Sequence, residues 1–123
     1  MPARYPRDRR LLTAAQYQRV FKHCQYKASD RWITVLAVAN GLECARLGTV
    51  VSIKAAGNAV RRNRIKRLIR ESFRLQQELL AGHDLVVLVR PGISARSNPQ
   101  INRTLDSHWR TIAAHAYTAT PAD

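Results

Sequence analysis

The stretch NAVRRNRIKRLIRESFR, residues 58–74, decides how the rest of the chain must be arranged. Asn58 suits a helix N-cap, because its side-chain oxygen can accept a free amide of the first turn. On a wheel at about 100° per residue, Ile65, Leu68, Ile69, Ser72 and Gln76 share one side, with Phe73 at its border. This predicts a helix from 58 to about Leu80 with that side packed on a sheet. Arg62, Asn63, Lys66, Arg67, Arg70 and Arg74 fill an adjacent side. Arg64 and Glu71 are expected to point away from the core, and Arg61 to overhang the sheet from the first turn.

Such a helix breaks local rules in one direction. Arg62, Lys66, Arg70 and Arg74 are successive like charges four residues apart. A pair of that kind destabilises an isolated helix by about 0.2–0.5 kcal/mol. Arginines also crowd the first two turns, where the helix dipole is positive and a cation costs about 0.3–1 kcal/mol. A helix needing only solubility would alternate signs, so the arrangement marks a functional face. A polyanion explains it. Free amides at a helix N-terminus already favour phosphate, and guanidinium forks suit phosphate oxygens. Asn63 adds a group that both donates and accepts, suited to a base edge or a ribose 2′-hydroxyl.

Outward from this helix, the elements follow from periodicity and turn signals. Thr13 and Gln16 form a capping box that opens a helix over 14–23, with Leu12 and Tyr17 placed for a hydrophobic staple. Residues 32–39 and 46–53 are rich in β-formers and flank Asn40-Gly41, which predicts an antiparallel pair joined by a short loop. DLVVLV, 84–89, is continuously apolar, so both faces of that strand should be buried. Asn98-Pro99 reads as an N-cap with proline at the first helical position, opening a helix to about 115. Residues 1–10 read as a polar arm and 117–123 as a tail. A strand, a long helix and another strand make a crossover with parallel pairing. The predicted fold is α+β, a small mixed sheet packed with about three helices, in one domain over 1–123.

The totals fit this reading. The chain has 123 residues, 46% of them apolar, with a net charge of +13. A domain so basic meets a polyanion, and nucleic acid is the first candidate. No stretch approaches the roughly eighteen apolar residues of a membrane span, and the start lacks a secretory signal, so a cytoplasmic protein is expected. Cys24 and Cys44 lack zinc-site spacing. No catalytic group emerges: Asp106, Ser107 and His108 are consecutive on one helix and form no triad. Composition does not separate RNA from DNA, although neither a leucine zipper nor a helix-turn-helix flanks the basic helix.

The core Arg62-Asn63-Arg64, followed by Ile65-Lys66-Arg67, resembles the signature of the protein subunit of bacterial ribonuclease P. RRLLTAAQYQRVFKH is similar to that family's first helix, ARLGTVVSIK to its glycine-marked strand and HDLVVLVRPG to its last strand. The similarity covers roughly residues 7 to 112. It implies an accessory protein of an RNA enzyme that removes the 5′ leader of precursor tRNA, with Mg²⁺ held mainly by a catalytic RNA. It implies a protein monomer in a 1:1 ribonucleoprotein and no catalytic residue in the protein. By match, Arg62, Asn63, Arg64, Lys66, Arg67 and Arg70 would contact the catalytic RNA. Tyr17, Phe21 and Lys54 would line a cleft for the single-stranded leader. The family's strand–helix–strand crossover is left-handed, against the general rule. Two positions depart from its pattern: one lysine, Lys54, stands where many members have two, and Val35 stands at a sheet position often aromatic. Read as a helical stripe with Val20 and Cys24, Tyr17 and Phe21 would instead be core. The other readings are a structural, ribosomal-type RNA-binding protein and a DNA-binding module.

Overall fold

A computed structural model describes residues 9–11 and 13–119. Four strands, β1 (Tyr26–Ser29), β2 (Ile33–Ala39), β3 (Arg46–Val50) and β4 (His83–Val89), form one sheet in the order β1-β2-β4-β3. Helix α1 (Ala14–His23) packs on one face. The one-turn α2 (Ile53–Ala56), α3 (Ala59–Gln76) and α4 (Asn98–Ala119) pack on the other.

The sheet is mixed, as expected, but its order corrects the hairpin. β2 and β3 are not neighbours. β4 lies between them, antiparallel to β2 and parallel to β3. The apolar run of β4 is buried on both faces, and a strand of that kind belongs inside a sheet rather than at its edge. Asn40-Gly41 turns the chain without pairing the strands it joins. The Asn40 side chain accepts from the Leu42 amide and donates to the Cys44 carbonyl, which closes a local loop instead. β1, absent from the sequence reading as a separate strand, forms the edge beside β2. On the outer edge of β3, the Leu11 amide donates to the Leu47 carbonyl at 3.0 Å.

Alternation along the strands divides two cores. Odd-numbered Ile33, Val35, Ala37, Leu85 and Val87 face α3 and α4. Even-numbered Val38 and Val86 face α1 and Val20. On α3, Ile65, Ile69, Ser72 and Phe73 are buried and Leu68 partly so. Phe73 is central rather than marginal, meeting Trp109 of α4 edge-to-face at 6.2 Å. The Trp109 indole N–H donates to the Ser72 hydroxyl at 2.8 Å, which satisfies the one polar group of a fully buried ring.

Several boundaries move. α3 stops at Gln76, and 77–82 are turns. β3 ends at Val50, because Ser52 caps α2. α4 is capped by Ser97, not Asn98, in a reciprocal box with Gln100. It continues to Ala119, so the start of the expected tail is helical. The Thr13–Gln16 box and the Asn58 cap are present as read. Leu12 of the staple, residues 1–8 of the arm and 120–123 lie outside the described residues.

Ser72→Ala should leave the buried indole N–H unsatisfied and destabilise the fold by about 1–3 kcal/mol. Urea denaturation measures this. A change below about 0.5 kcal/mol would show that the ring nitrogen does not depend on Ser72.

Candidate nucleic-acid interface

Asn58 begins the basic helix by accepting the Arg61 amide at 3.0 Å. Gly57 precedes it at φ +95, a left-handed conformation that favours glycine. A Cβ there would also lie 3.0 Å from Arg61 Cδ. Parallel strands β3 and β4 both point their carboxyl ends at this junction. The start of α3, the exposed Lys54 and the C-terminal end of β4 therefore gather at one end of the sheet.

The arginines of α3 divide into two groups. Arg64 does not point away into solvent. Its guanidinium donates to Asn98 Oδ1 at 2.9 Å, to the Arg96 carbonyl at 2.7 Å and to the Ser94 carbonyl at 3.3 Å. It thereby fastens the loop that leads into α4. The Ser94 hydroxyl donates to the Ala56 carbonyl, and the Arg96 guanidinium lies 3.8 Å from the Trp32 ring centre. Arg62 donates to the Val51 carbonyl at 2.9 Å, which ties α3 to the segment after β3. Both side chains satisfy carbonyls that no strand or helix would otherwise pair.

Asn63, Arg67, Arg70 and Arg74 form the second group, lining a groove of about 330 Å³ along the outer side of α3. Arg67 and Arg70 are exposed and have no protein partner among the described residues. Glu71 lies in this stripe too, not away from it. Arg74 donates to both its oxygens, and that hydrogen bonding holds its carboxyl below the usual carboxylate range and raises the guanidinium. Lys66 is half-buried beside this group.

The α1 side of the sheet is only partly covered. Ten helical residues span about 15 Å, whereas seven strand residues span about 23 Å. Half-buried Leu36 and Leu88 and exposed Val50 remain on the open part. Tyr17 and Phe21 are not equivalent. The Tyr17 hydroxyl accepts the Thr49 amide at 3.2 Å, and its ring covers Gly48 so closely that a Cβ there would lie 2.6 Å from it. Phe21 is 44% exposed. Of the stripe expected in the core, Val20 is fully buried and Tyr17 half-buried against it, whereas Phe21 departs from it. Val35 faces α3 and α4, so it does not line this side. Arg90, which the sequence did not single out, ends β4 with its guanidinium 2.8 Å from the Thr34 hydroxyl.

Asp84 fixes α1 above the sheet. It is fully buried and receives two hydrogen bonds from Arg46, at 2.8 and 2.7 Å, and one from Asn40 at 3.0 Å. The hydrogen bonding that Arg46 donates to Asp84 raises its guanidinium above its ordinary value. Arg19 of α1 approaches the same carboxylate at 3.5 Å and donates to the Ala39 carbonyl. Among the described residues, no three His, Cys, Asp or Glu side chains converge as metal ligands. No described helix is long and apolar enough to cross a membrane.

Comparison with known proteins points one way. A family model described as Ribonuclease P matches residues 5–113. The ribonuclease P protein component of Pseudomonas aeruginosa is 44% identical over 120 residues, 97% of this chain and 89% of that one. That of Chromohalobacter salexigens is 46% identical over 108 residues, 88% of this chain and 84% of its own. Among solved structures, the Staphylococcus aureus RNase P protein superposes with a TM-score of 0.77 at 32% identity, covering 83% of this chain and 93% of that one. The Thermotoga maritima protein gives 0.71 at 31%, covering 82% and 96%.

The two arginine groups should separate in stability measurements. Arg64→Ala removes three charge-assisted bonds and should destabilise by about 1–3 kcal/mol. Arg67→Ala should stay within about 0.5 kcal/mol of the parent. Equal losses in thermal or urea melts would contradict the division.

Proposed function

Because the chain belongs to the ribonuclease P protein family, we propose that the stripe of Asn63, Arg67, Arg70 and Arg74 docks the protein on the catalytic RNA of a ribonucleoprotein. Family membership makes the chain an RNA-binding component of a tRNA-processing ribonuclease. The observation that carries the proposal is the unpartnered state of Arg67 and Arg70 on the exposed side of α3, where they line one groove with Asn63 and Arg74. Arg62 and Arg64 shape this surface from below, and Lys66 adds charge at its border. RNA docking would replace repulsion within the stripe by phosphate contacts and release counterions.

The open α1 side of the sheet suits the single-stranded 5′ leader of precursor tRNA. Phe21 offers an exposed ring for a base, worth about 1–3 kcal/mol in stacking. Tyr17 is pinned by Thr49 and Gly48 and acts as a fixed wall. Lys54 and Arg90 supply charge for the leader's phosphates. Positioning and charge neutralisation are then the protein's contribution to cleavage.

The family also implies Mg²⁺, and among the described residues no three potential ligands converge to hold it. Asp84 is buried against Arg46 and Asn40, and Glu71 is held by Arg74 within the arginine stripe. We assign the metal and the hydrolytic chemistry to the RNA, and one protein copy in the cytoplasm to each ribonucleoprotein.

The test is 5′ processing of a precursor tRNA by a bacterial ribonuclease P RNA at low Mg²⁺, with and without the protein. A long leader should show a large gain and a one-nucleotide leader a smaller one. No gain with either substrate would overturn the reading. Arg67→Ala and Arg70→Ala should each reduce the slope of log affinity for the catalytic RNA against log salt by about 0.7–0.9 per lost phosphate contact. An unchanged slope in both would place the RNA elsewhere.

A further inference from the structure

The indole of Trp32 carries two arginines and no acid. Trp32 lies just before β2, half-buried against the core shared with α3 and α4. The Arg96 guanidinium lies 3.8 Å from its ring centre and that of Arg31 5.6 Å. An arginine that stacks on a ring keeps its in-plane N–H groups for a further partner. Neither guanidinium uses them within the protein: among the described residues, the Arg31 and Arg96 side chains make no hydrogen bond and no ion pair. Asp30 is close in sequence, but its Oδ1 accepts the Trp32 and Ile33 amides, and it pairs with neither arginine.

The indole N–H is open as well. The Trp109 N–H is bonded to Ser72, whereas the Trp32 N–H has no partner among the described residues and is not sealed from solvent. Gly92 stands beside this edge of the ring. A Cβ there would lie 3.5 Å from Nε1 and 3.7 Å from Cδ1, so its missing side chain leaves the approach to the N–H clear.

These charges oppose their surroundings. Arg96 directly precedes Ser97, the cap of α4, so its cation stands at the positive end of a 22-residue helix. Two like charges on one ring also repel each other. Arg64 of α3 donates to the Arg96 carbonyl at 2.7 Å, which holds the residue in place without using its side chain. An anion would turn each of these costs into an attraction. We propose that Arg31, Trp32 and Arg96 together hold a phosphate group of an RNA strand. The guanidinia supply charge and forked donors, and the indole N–H supplies a further donor. The proposal rests on the RNA-binding reading above and adds a contact carried by the turn before β2 and the loop before α4, not by the α3 stripe or the α1 side.

The test measures, over a range of salt, the affinity of the full chain for a bacterial ribonuclease P RNA, and then that of the assembled ribonucleoprotein for precursor tRNA. The double variant Arg31→Gln, Arg96→Gln should reduce the slope of log affinity against log salt by about 0.7–0.9 in one of the two, the value of one phosphate contact. Trp32→Phe keeps a ring under Arg96 and the net charge. It should leave the slope in place and weaken the same step about tenfold, for one hydrogen bond to a charged group. Arg103→Gln with Arg110→Gln removes the same charge from exposed positions elsewhere on α4 and should change neither measurement. Arg31→Gln alone, at an exposed position with no hydrogen bond to lose, should lower the slope of the same step, and it carries the test if the double variant melts early. A smaller slope with the catalytic RNA names that strand as the occupant, and a smaller slope only with precursor tRNA names the substrate. Unchanged slopes in both, an equal fall in the Arg103, Arg110 control, or full affinity in Trp32→Phe would each overturn the proposal. If Arg67→Ala lowers the slope while these variants do not, the docking of α3 stands and this site alone falls.

Discussion

Two parallel strands cannot be joined by a hairpin, and the pairing of β3 with β4 imposes that constraint on everything between them. The chain leaving Val50 must cross one face of the sheet to the opposite end, where β4 begins beside the start of β3. α3 is that crossing, and its buried face of Ile65, Ile69 and Phe73 holds it there. Parallel pairing also sets where the charge appears. Both strands end beside the start of α3, so the helix dipole and the basic side chains gather at the carboxyl end of the pair. The partly open α1 side reaches the same end. One topological constraint thus brings the start of the arginine helix and the open α1 side to one end of a short chain's sheet.

The like-charge crowding on α3 has a second consequence. Arg62 and Arg64 are held by backbone carbonyls of the Val51 and 94–96 segments, which have no ladder partner. A guanidinium fork fixes irregular chain better than a single-point donor, because several N–H groups lie in one rigid plane. The charges that oppose the helix dipole therefore brace the loops around α3. The outward arginines, Arg67 and Arg70, receive no such compensation within the protein. Within the stripe the only carboxylate is Glu71, which Arg74 already holds.

Much of this was legible in the sequence. The period of α3, both N-terminal caps at Thr13 and Asn58, and the buried character of 84–89 follow from local chemistry, and local chemistry decides them. The hairpin failed because Asn40-Gly41 reports that the chain turns, not which strands pair afterwards. The counter-signal was present: a strand as apolar as DLVVLV needs a neighbour on each side, and inserting it separates β2 from β3. The partners of Arg64 and Asp84 were not legible. Asn98, Arg96 and Arg46 are far away in sequence, and no spacing rule connects them.

Tyr17 and Phe21 show where helical periodicity loses its power. Four residues apart on α1, they share a stripe, and a stripe assigns them one environment. The sheet beneath is not uniform. Under Tyr17 lies Gly48, whose missing side chain leaves room for a ring, and the Thr49 amide supplies a partner for the hydroxyl. Phe21 meets no such recess, and Val20 takes the buried position beside it. The difference lies in β3, not in α1. The glycine therefore selects which aromatic becomes wall and which stays open, and Asp84 holds the helix at the height where that selection operates. A ring braced on one side and a ring free on the other make a surface that is rigid at Tyr17 and open at Phe21.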